Sequence, residues 1–226
     1  MRHVKNNALF IISFVFIGCL IMAWVDAIWV PNYAIKSGIK LGLFLILPLV
    51  YARMDKNTSF TRLFSYRKDS LLFSILIGVG VYIFIVGAYF IFGSFFDLTS
   101  ITTSLEASVG VSATNFLFVA TYISFINSLL EEFFFRGFAF LSLKKVTNRP
   151  FAYLFSAGLF AIYHVFMVIN WFNFGLFLLL LISLFIAGLL FNWLNERNEN
   201  IYTSWFVHMA GNFAINTIGL ILFDII

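Results

Sequence analysis

Apolar residues run through this chain in seven long stretches: Ala8–Val30, Ser37–Tyr51, Leu71–Phe92, Ser112 to about Leu143, Phe151–Asn170, Phe172–Leu194 and Thr203–Phe223. Each is longer than the 9–11 residues of a membrane-crossing strand, and none alternates with period two. A backbone in lipid must satisfy its own hydrogen bonds, which leaves the α-helix. The pattern predicts an all-α, polytopic membrane helical bundle of about seven transmembrane helices. The second run is short, which predicts a tilted or well-covered helix. Only Asn170–Trp171 separates the fifth run from the sixth.

Composition supports a lipid-facing surface. Hydrophobic residues make up 62 % and charged residues 11 %, against roughly 45–50 % and 25 % in soluble domains. The 32 phenylalanines exceed what one soluble core buries. A single integral membrane domain over residues 1–226 is expected, with its motif-bearing core at about 112–223. The first run is too long for the apolar region of a signal peptide, so it reads as a retained span. One cysteine, Cys19, leaves no intrachain disulfide and no cysteine metal site.

Charge sets an orientation. The net charge is +4, with no basic, aromatic-interleaved segment, so no nucleic-acid partner is expected. Eleven of the fourteen Lys and Arg fall in alternate segments: Arg2, Lys5, Arg53, Lys56, Arg62, Arg67, Lys68, Lys144, Lys145, Arg149 and Arg197. The opposite loops are assigned only Lys36 and Lys40. The positive-inside rule then predicts a multi-pass cell-membrane protein with a cytoplasmic N-terminus and an extracytoplasmic C-terminus. Gly38 and Gly42 match a GxxxG pattern by chance composition.

Polar residues inside the apolar runs are the informative exceptions, because a charge at a span centre costs about 2.5–3.5 kcal/mol. The sequence Leu130-Glu131-Glu132-Phe133-Phe134-Phe135-Arg136 sets two carboxylates and a guanidinium in the fourth run. On a helix, Glu132 and Arg136 are i,i+4 partners. Glu131 projects about 100° away and lacks that partner, which makes it the candidate base. An ion pair that only anchors the bundle explains Glu132 and Arg136 but not Glu131. Phe160-Ala-Ile-Tyr-His164 adds a histidine in the fifth run. His208-Met-Ala-Gly-Asn212 adds a histidine and an amide one turn apart in the last, and Asn216 continues that stripe. His208 and Asn212 have the donors of an oxyanion site and equally those of interhelical glue.

Depth constrains whether these clusters meet. At 1.5 Å per residue, His164 lies roughly 21 Å from Pro150, and His208 and Asn212 about 8–14 Å from Thr203. A continuous fourth helix puts Glu131 about 20 Å from Lys144 and exceeds a ~30 Å core. A break near Gly137 resolves this, with residues 138–145 along the interface and the site in the cytoplasmic half of the bilayer.

The set Glu131-Glu132-x3-Arg136, Phe160-x3-His164 and His208-x3-Asn212 resembles the motifs of the CAAX-protease and bacteriocin-processing (Abi-type) family of intramembrane endopeptidases. All three occur in the family's order on separate helices, over residues 131–212. The resemblance implies a proteolytic enzyme with Glu131 as general base and His164 holding the attacking water. It gives His208 and Asn212 to the oxyanion, and Glu132 with Arg136 as the supporting pair. It implies a membrane-associated peptide substrate, prenylated or of leader or signalling type. No cofactor is favoured. Zinc held by Glu131, His164 and His208 is the alternative, although no His-Glu-x-x-His spacing occurs. A non-catalytic adaptor or bacteriocin-immunity protein is the competing function. A proton-coupled carrier is disfavoured, because no internal repeat or pair of matching broken helices occurs.

Overall fold

The computed structural model describes residues 2–54, 60–65, 68–168, 173–198 and 200–226. Lys56, Arg67 and the Asn170–Trp171 boundary lie outside the described residues. Eight helices follow in order. α1 (Arg2–Trp24) runs on through one wide turn, Val25–Trp29, and ends at Val30 in the left-handed region. α2 (Tyr33–Met54) starts under the Asn32 side chain, which accepts from the Ile35 N–H. Then come α3 (Lys68–Phe92), the short α4 (Thr99–Val109), α5 (Phe116–Val146), α6 (Arg149–Val168), α7 (Phe174–Asn198) and α8 (Tyr202–Leu222). Asn148 and Asn173 cap α6 and α7 in the same way as Asn32, and Asn200, just before the start of α8, accepts from the Thr203 N–H.

Among the described residues, six helices are long and apolar enough to span a bilayer, including most of α1. α6, 20 residues long, is the seventh long helix and packs against α1, α5 and α7. The expected bundle of about seven helices is therefore present. Helix α4 falls between the third and fourth apolar runs and was not anticipated. It ends at Gly110, whose φ of 70° suits glycine.

α5 is the centre of the bundle. Every residue from Leu130 to Phe140 is buried, including Phe133, Phe134, Phe135, Phe138 and Phe140. Phe134 stacks flat on Phe44 of α2 at 4.0 Å between ring centroids. Leu72, Phe84, Phe90, Phe118 and Phe174 point outward and are mostly exposed. In water such a surface would be untenable; in lipid it is the solvated face. Small residues set the closest helix approaches. A Cβ on Gly188 of α7 would lie 2.9 Å from the Ala157 backbone, and one on Gly78 of α3 3.1 Å from Ala210. Gly38 and Gly42 have nothing within 4 Å of a built Cβ, so that GxxxG match packs no helix.

The expected break near Gly137 is absent. α5 continues for 31 residues, and its turns widen to i→i+5 hydrogen bonding over Ile123–Asn127 and Glu132–Phe140. Gly137 answers a different demand: a Cβ there would meet Leu63 Cδ1 at 2.7 Å. Leu63 sits in the turn Thr61–Phe64, which wedges against α5 and accepts a hydrogen bond from Ile201 N–H. The depth derived from a break falls with it.

Candidate functional site

The wide turns of α5 carry consequences for α8. A widened helix presents carbonyls that neighbouring helices re-satisfy. Trp205, Asn212 and Asn216 lie on one stripe of α8 and do this. Trp205 Nε1–H donates to the Phe125 carbonyl at 3.1 Å and to Ser128 Oγ at 3.0 Å. Asn212 donates to the Ile123 carbonyl at 3.3 Å, and Asn216 to the Ala120 carbonyl and Ser124 Oγ. His208, on the same stripe, is thereby held against the two glutamates.

Five of the six residues singled out in the sequence converge in one buried cluster. Glu131 Oε2 lies 3.3 Å from His164 Nε2 and 3.7 Å from His208 Nε2. His208 Nδ1 meets Glu132 Oε1 at 2.9 Å. Glu132 Oε1 is 3.2 Å from Arg136, the expected i,i+4 pair. Glu132 and Arg136 are wholly buried, and Glu131 is 1 % exposed. His164 is the member that reaches a surface, with 21 % of its side chain exposed. Asn212 stands one turn from His208, with its amide on Ile123.

Phe160 explains the spacing of its motif. Its carbonyl accepts from His164 Nδ1 at 2.8 Å. Its ring lies 4.0 Å from the Arg136 guanidinium carbon, with Phe191 on another side at 4.8 Å. The guanidinium is thus held by a carboxylate and aromatic faces, while none of its nitrogens has a hydrogen-bond partner. Phe191 also stacks on His208 at 5.1 Å.

These contacts fix both imidazoles. A carbonyl or carboxylate only accepts, so each Nδ1 carries a proton. In the neutral ring each Nε2 is then unprotonated, and both nitrogens lie near Glu131 Oε2. That oxygen has no hydrogen-bond donor from the protein.

The other oxygen of Glu131 corrects the sequence reading. Lys40, assigned there to a loop, is buried on α2, and its Nζ lies 2.5 Å from Glu131 Oε1. It also donates to Asn127 Oδ1, and Asn127 donates back to Glu131 Oε1 at 2.9 Å. Glu131 is therefore the more heavily partnered carboxylate, not the unpaired one. Lys40 and Asn127 were missed, yet Lys40 lies inside the second apolar run. The intramembrane-charge criterion that singled out Glu131 applies to it equally. The same holds for Asp26, which pairs with Lys36 at 3.4 Å.

Residues 113–214 match a family model described as type II CAAX prenyl endopeptidase Rce1-like. The match covers 102 of the 226 residues, just under half of the chain. The matched stretch holds all three motifs and agrees with the resemblance read from them. No curated protein and no solved structure matches the chain. The match supports an intramembrane protease, and the six long apolar helices among the described residues support a multi-pass membrane protein.

Two histidine nitrogens and a carboxylate oxygen resemble a zinc donor set, with each Nδ1 anchored as ligating histidines are. Two observations oppose a resident ion. The Lys40 ammonium already neutralises Glu131 at 2.5 Å. Among the described residues no group of three or more His, Cys, Asp or Glu is arranged to hold a metal. An apolar groove of about 590 Å³ lies between α3, α5 and α8, lined by Tyr82, Phe116, Phe213 and Asn216 among others. None of Glu131, Glu132, His164 or His208 lines it.

Proposed function

We propose that the cluster is the active site of an intramembrane endopeptidase that hydrolyses a peptide bond with a Glu131-activated water and no resident metal. The observation that carries this reading is the close approach of Glu131 Oε2, which has no hydrogen-bond partner, to His164 Nε2 at 3.3 Å. A water seated against both atoms finds two acceptors, and His164 is the side open to a surface. Glu131 takes a proton as the water oxygen attacks the scissile carbonyl carbon. The C–N bond then breaks, and Glu131 returns the proton to the leaving amine. A base so placed contributes about 10²–10⁴-fold.

His208 and Asn212 are the proposed oxyanion donors. Asn212 spends one N–H on Ile123, and its amide has a second. His208 donates from Nε2 when its ring carries both protons, with Glu132 balancing the charge. Each such donor is worth about 2.7–4 kcal/mol. Glu132 and Arg136 hold His208 in register. The substrate we propose is a membrane-associated peptide, of prenylated, leader or signalling type. The proposed topology puts the N-terminus in the cytoplasm and the C-terminus outside, with the site reached from the cytoplasmic side.

The test is cleavage of a fluorogenic peptide library by purified protein in proteoliposomes, comparing wild type, Glu131→Gln and His164→Ala. Glu131→Gln should lose at least about 10²-fold in kcat. A Gln variant that cleaves at the wild-type rate overturns the assignment. The adaptor reading predicts no cleavage by either protein and a cellular phenotype that survives Glu131→Gln.

A further inference from the structure

Lys40 is outside the family match and outside the three motifs, yet it makes the shortest ionic contact to Glu131. Its burial needs a reason. A lone ammonium in a helix bundle is costly, and a lysine this close to the end of α2 has a stem long enough to reach an interface. Instead the side chain is 6 % exposed and turned inward, with the Tyr163 ring 4.9 Å from Nζ and the Phe44 ring 5.4 Å away.

Charge balance supplies the reason. The buried groups are Glu131, Glu132, Lys40 and Arg136, two negative and two positive. With both histidines neutral, the cluster sums to zero. Without Lys40 it is left with one uncompensated carboxylate, a state that demands an added proton or a bound cation. Lys40 therefore occupies, electrostatically, the place that a metal ion would take.

We propose that Lys40 is a positioning residue for hydrolysis, an internal cation that acts through Glu131. This rests on Glu131 being the base. Lys40 and Asn127 together occupy Oε1, which fixes the carboxylate plane and leaves Oε2 as the oxygen that meets water. As the water's proton moves to Glu131, the negative charge leaves that carboxylate and passes to the oxyanion. Lys40, Arg136 and Glu132 then sum to +1, opposite the −1 of the oxyanion, and the second proton that His208 carries as an oxyanion donor adds a further +1 beside it. The ammonium is neutralised in the ground state and its charge is released to the transition state. Such a group raises kcat and leaves substrate binding nearly unchanged.

The experiment uses the full chain in proteoliposomes with the same peptide library and five proteins: wild type, Lys40→Met, Lys40→Arg, Glu131→Gln and the double variant Lys40→Met/Glu131→Gln. Lys40→Met should lose about 10²-fold in kcat with KM within about threefold, as for loss of one electrostatic stabiliser. Lys40→Arg should recover at least about tenfold of that loss. The double variant should be no slower than Glu131→Gln, because the two act as a unit. Melting temperature gives a readout that needs no substrate: Lys40→Met should melt below wild type, and the double variant above Lys40→Met. If Lys40→Met cleaves within about threefold of wild type while Glu131→Gln is inactive, Lys40 has no part in the reaction and the Glu131 assignment stands. A fully active Glu131→Gln removes both. A double variant that melts at or below Lys40→Met overturns the charge pairing itself.

Discussion

Two adjacent glutamates on α5 have different partners, and the difference divides their work. Glu132 presents one oxygen to both His208 and Arg136, and its other oxygen has no hydrogen-bond partner. Glu131 has one oxygen tied by Lys40 and Asn127 and the other beside the Nε2 atoms of two histidines. Asn212 and Asn216 pose the matching question on α8, since both donate to carbonyls of the widened α5. Asn216, two turns beyond His208, bonds only to Ala120 and Ser124. Asn216→Ala should therefore lower stability by about 0.6–1.7 kcal/mol and leave kcat within about twofold. Asn212→Ala should instead lower kcat by about 10²-fold, the effect of losing one oxyanion donor. Melting curves and initial rates on the two variants separate the roles. Equal rate losses would place both in the bundle's packing.

The motif residues were legible because charge and amide groups are conspicuous inside apolar sequence. Their convergence was legible only as far as the spacing on each helix. Lys40 was not read as part of the site because a lysine near a helix end satisfies a topology rule equally well, and nothing local distinguishes the two uses. Its partner is 91 positions away.

At the level of elements, α5 is too long for a straight crossing, and the protein widens its turns where a break was expected. Gly137 then serves packing, because the Leu63 turn presses on it. Gly137→Ala should destabilise the fold by about 1–3 kcal/mol through overpacking. Adding Leu63→Ala should recover part of that loss in the melting temperature, whereas strictly additive losses would show that Gly137 answers some other need. The first widened stretch faces the polar stripe of α8. Trp205, Asn212 and Asn216, at helical spacing on α8, donate to carbonyls along this stretch, and those of Ile123 and Ala120 also accept backbone N–H groups of α5 itself. From sequence the stripe was visible, but its partners were not, because no residue pattern announces a widened turn.

Across the whole molecule, the hydrophobic runs foretold the number and order of the long helices, while the connections were less readable. Helix α4 escaped notice because its threonines and serines break any apolar run. One end of the bundle is tied by Glu196, which meets Lys144 at 2.9 Å, Arg149 at 2.7 Å and Tyr153 at 2.6 Å, joining α5, α6 and α7. Lys144, Arg149 and Arg197 gather at that end, as the proposed cytoplasmic face requires. In a Cys19→Ser background, Lys145→Cys should react with an impermeant thiol reagent from the cytoplasmic side only. Ile226→Cys, at the exposed C-terminus, should react only from the opposite side. Labelling of both from one side would contradict an odd number of crossings.

The central claim is that a carboxylate balanced by Lys40, and not a metal ion, activates the water. It is tested most directly by the cleavage rate of wild type in proteoliposomes before and after exhaustive dialysis against a chelator, beside Glu131→Gln. An unchanged wild-type rate, with the Gln variant inactive throughout, is the predicted result. A rate that vanishes on dialysis and returns with added Zn²⁺ would contradict it, and would turn His164, His208 and Glu131 from water-holding groups into ligands.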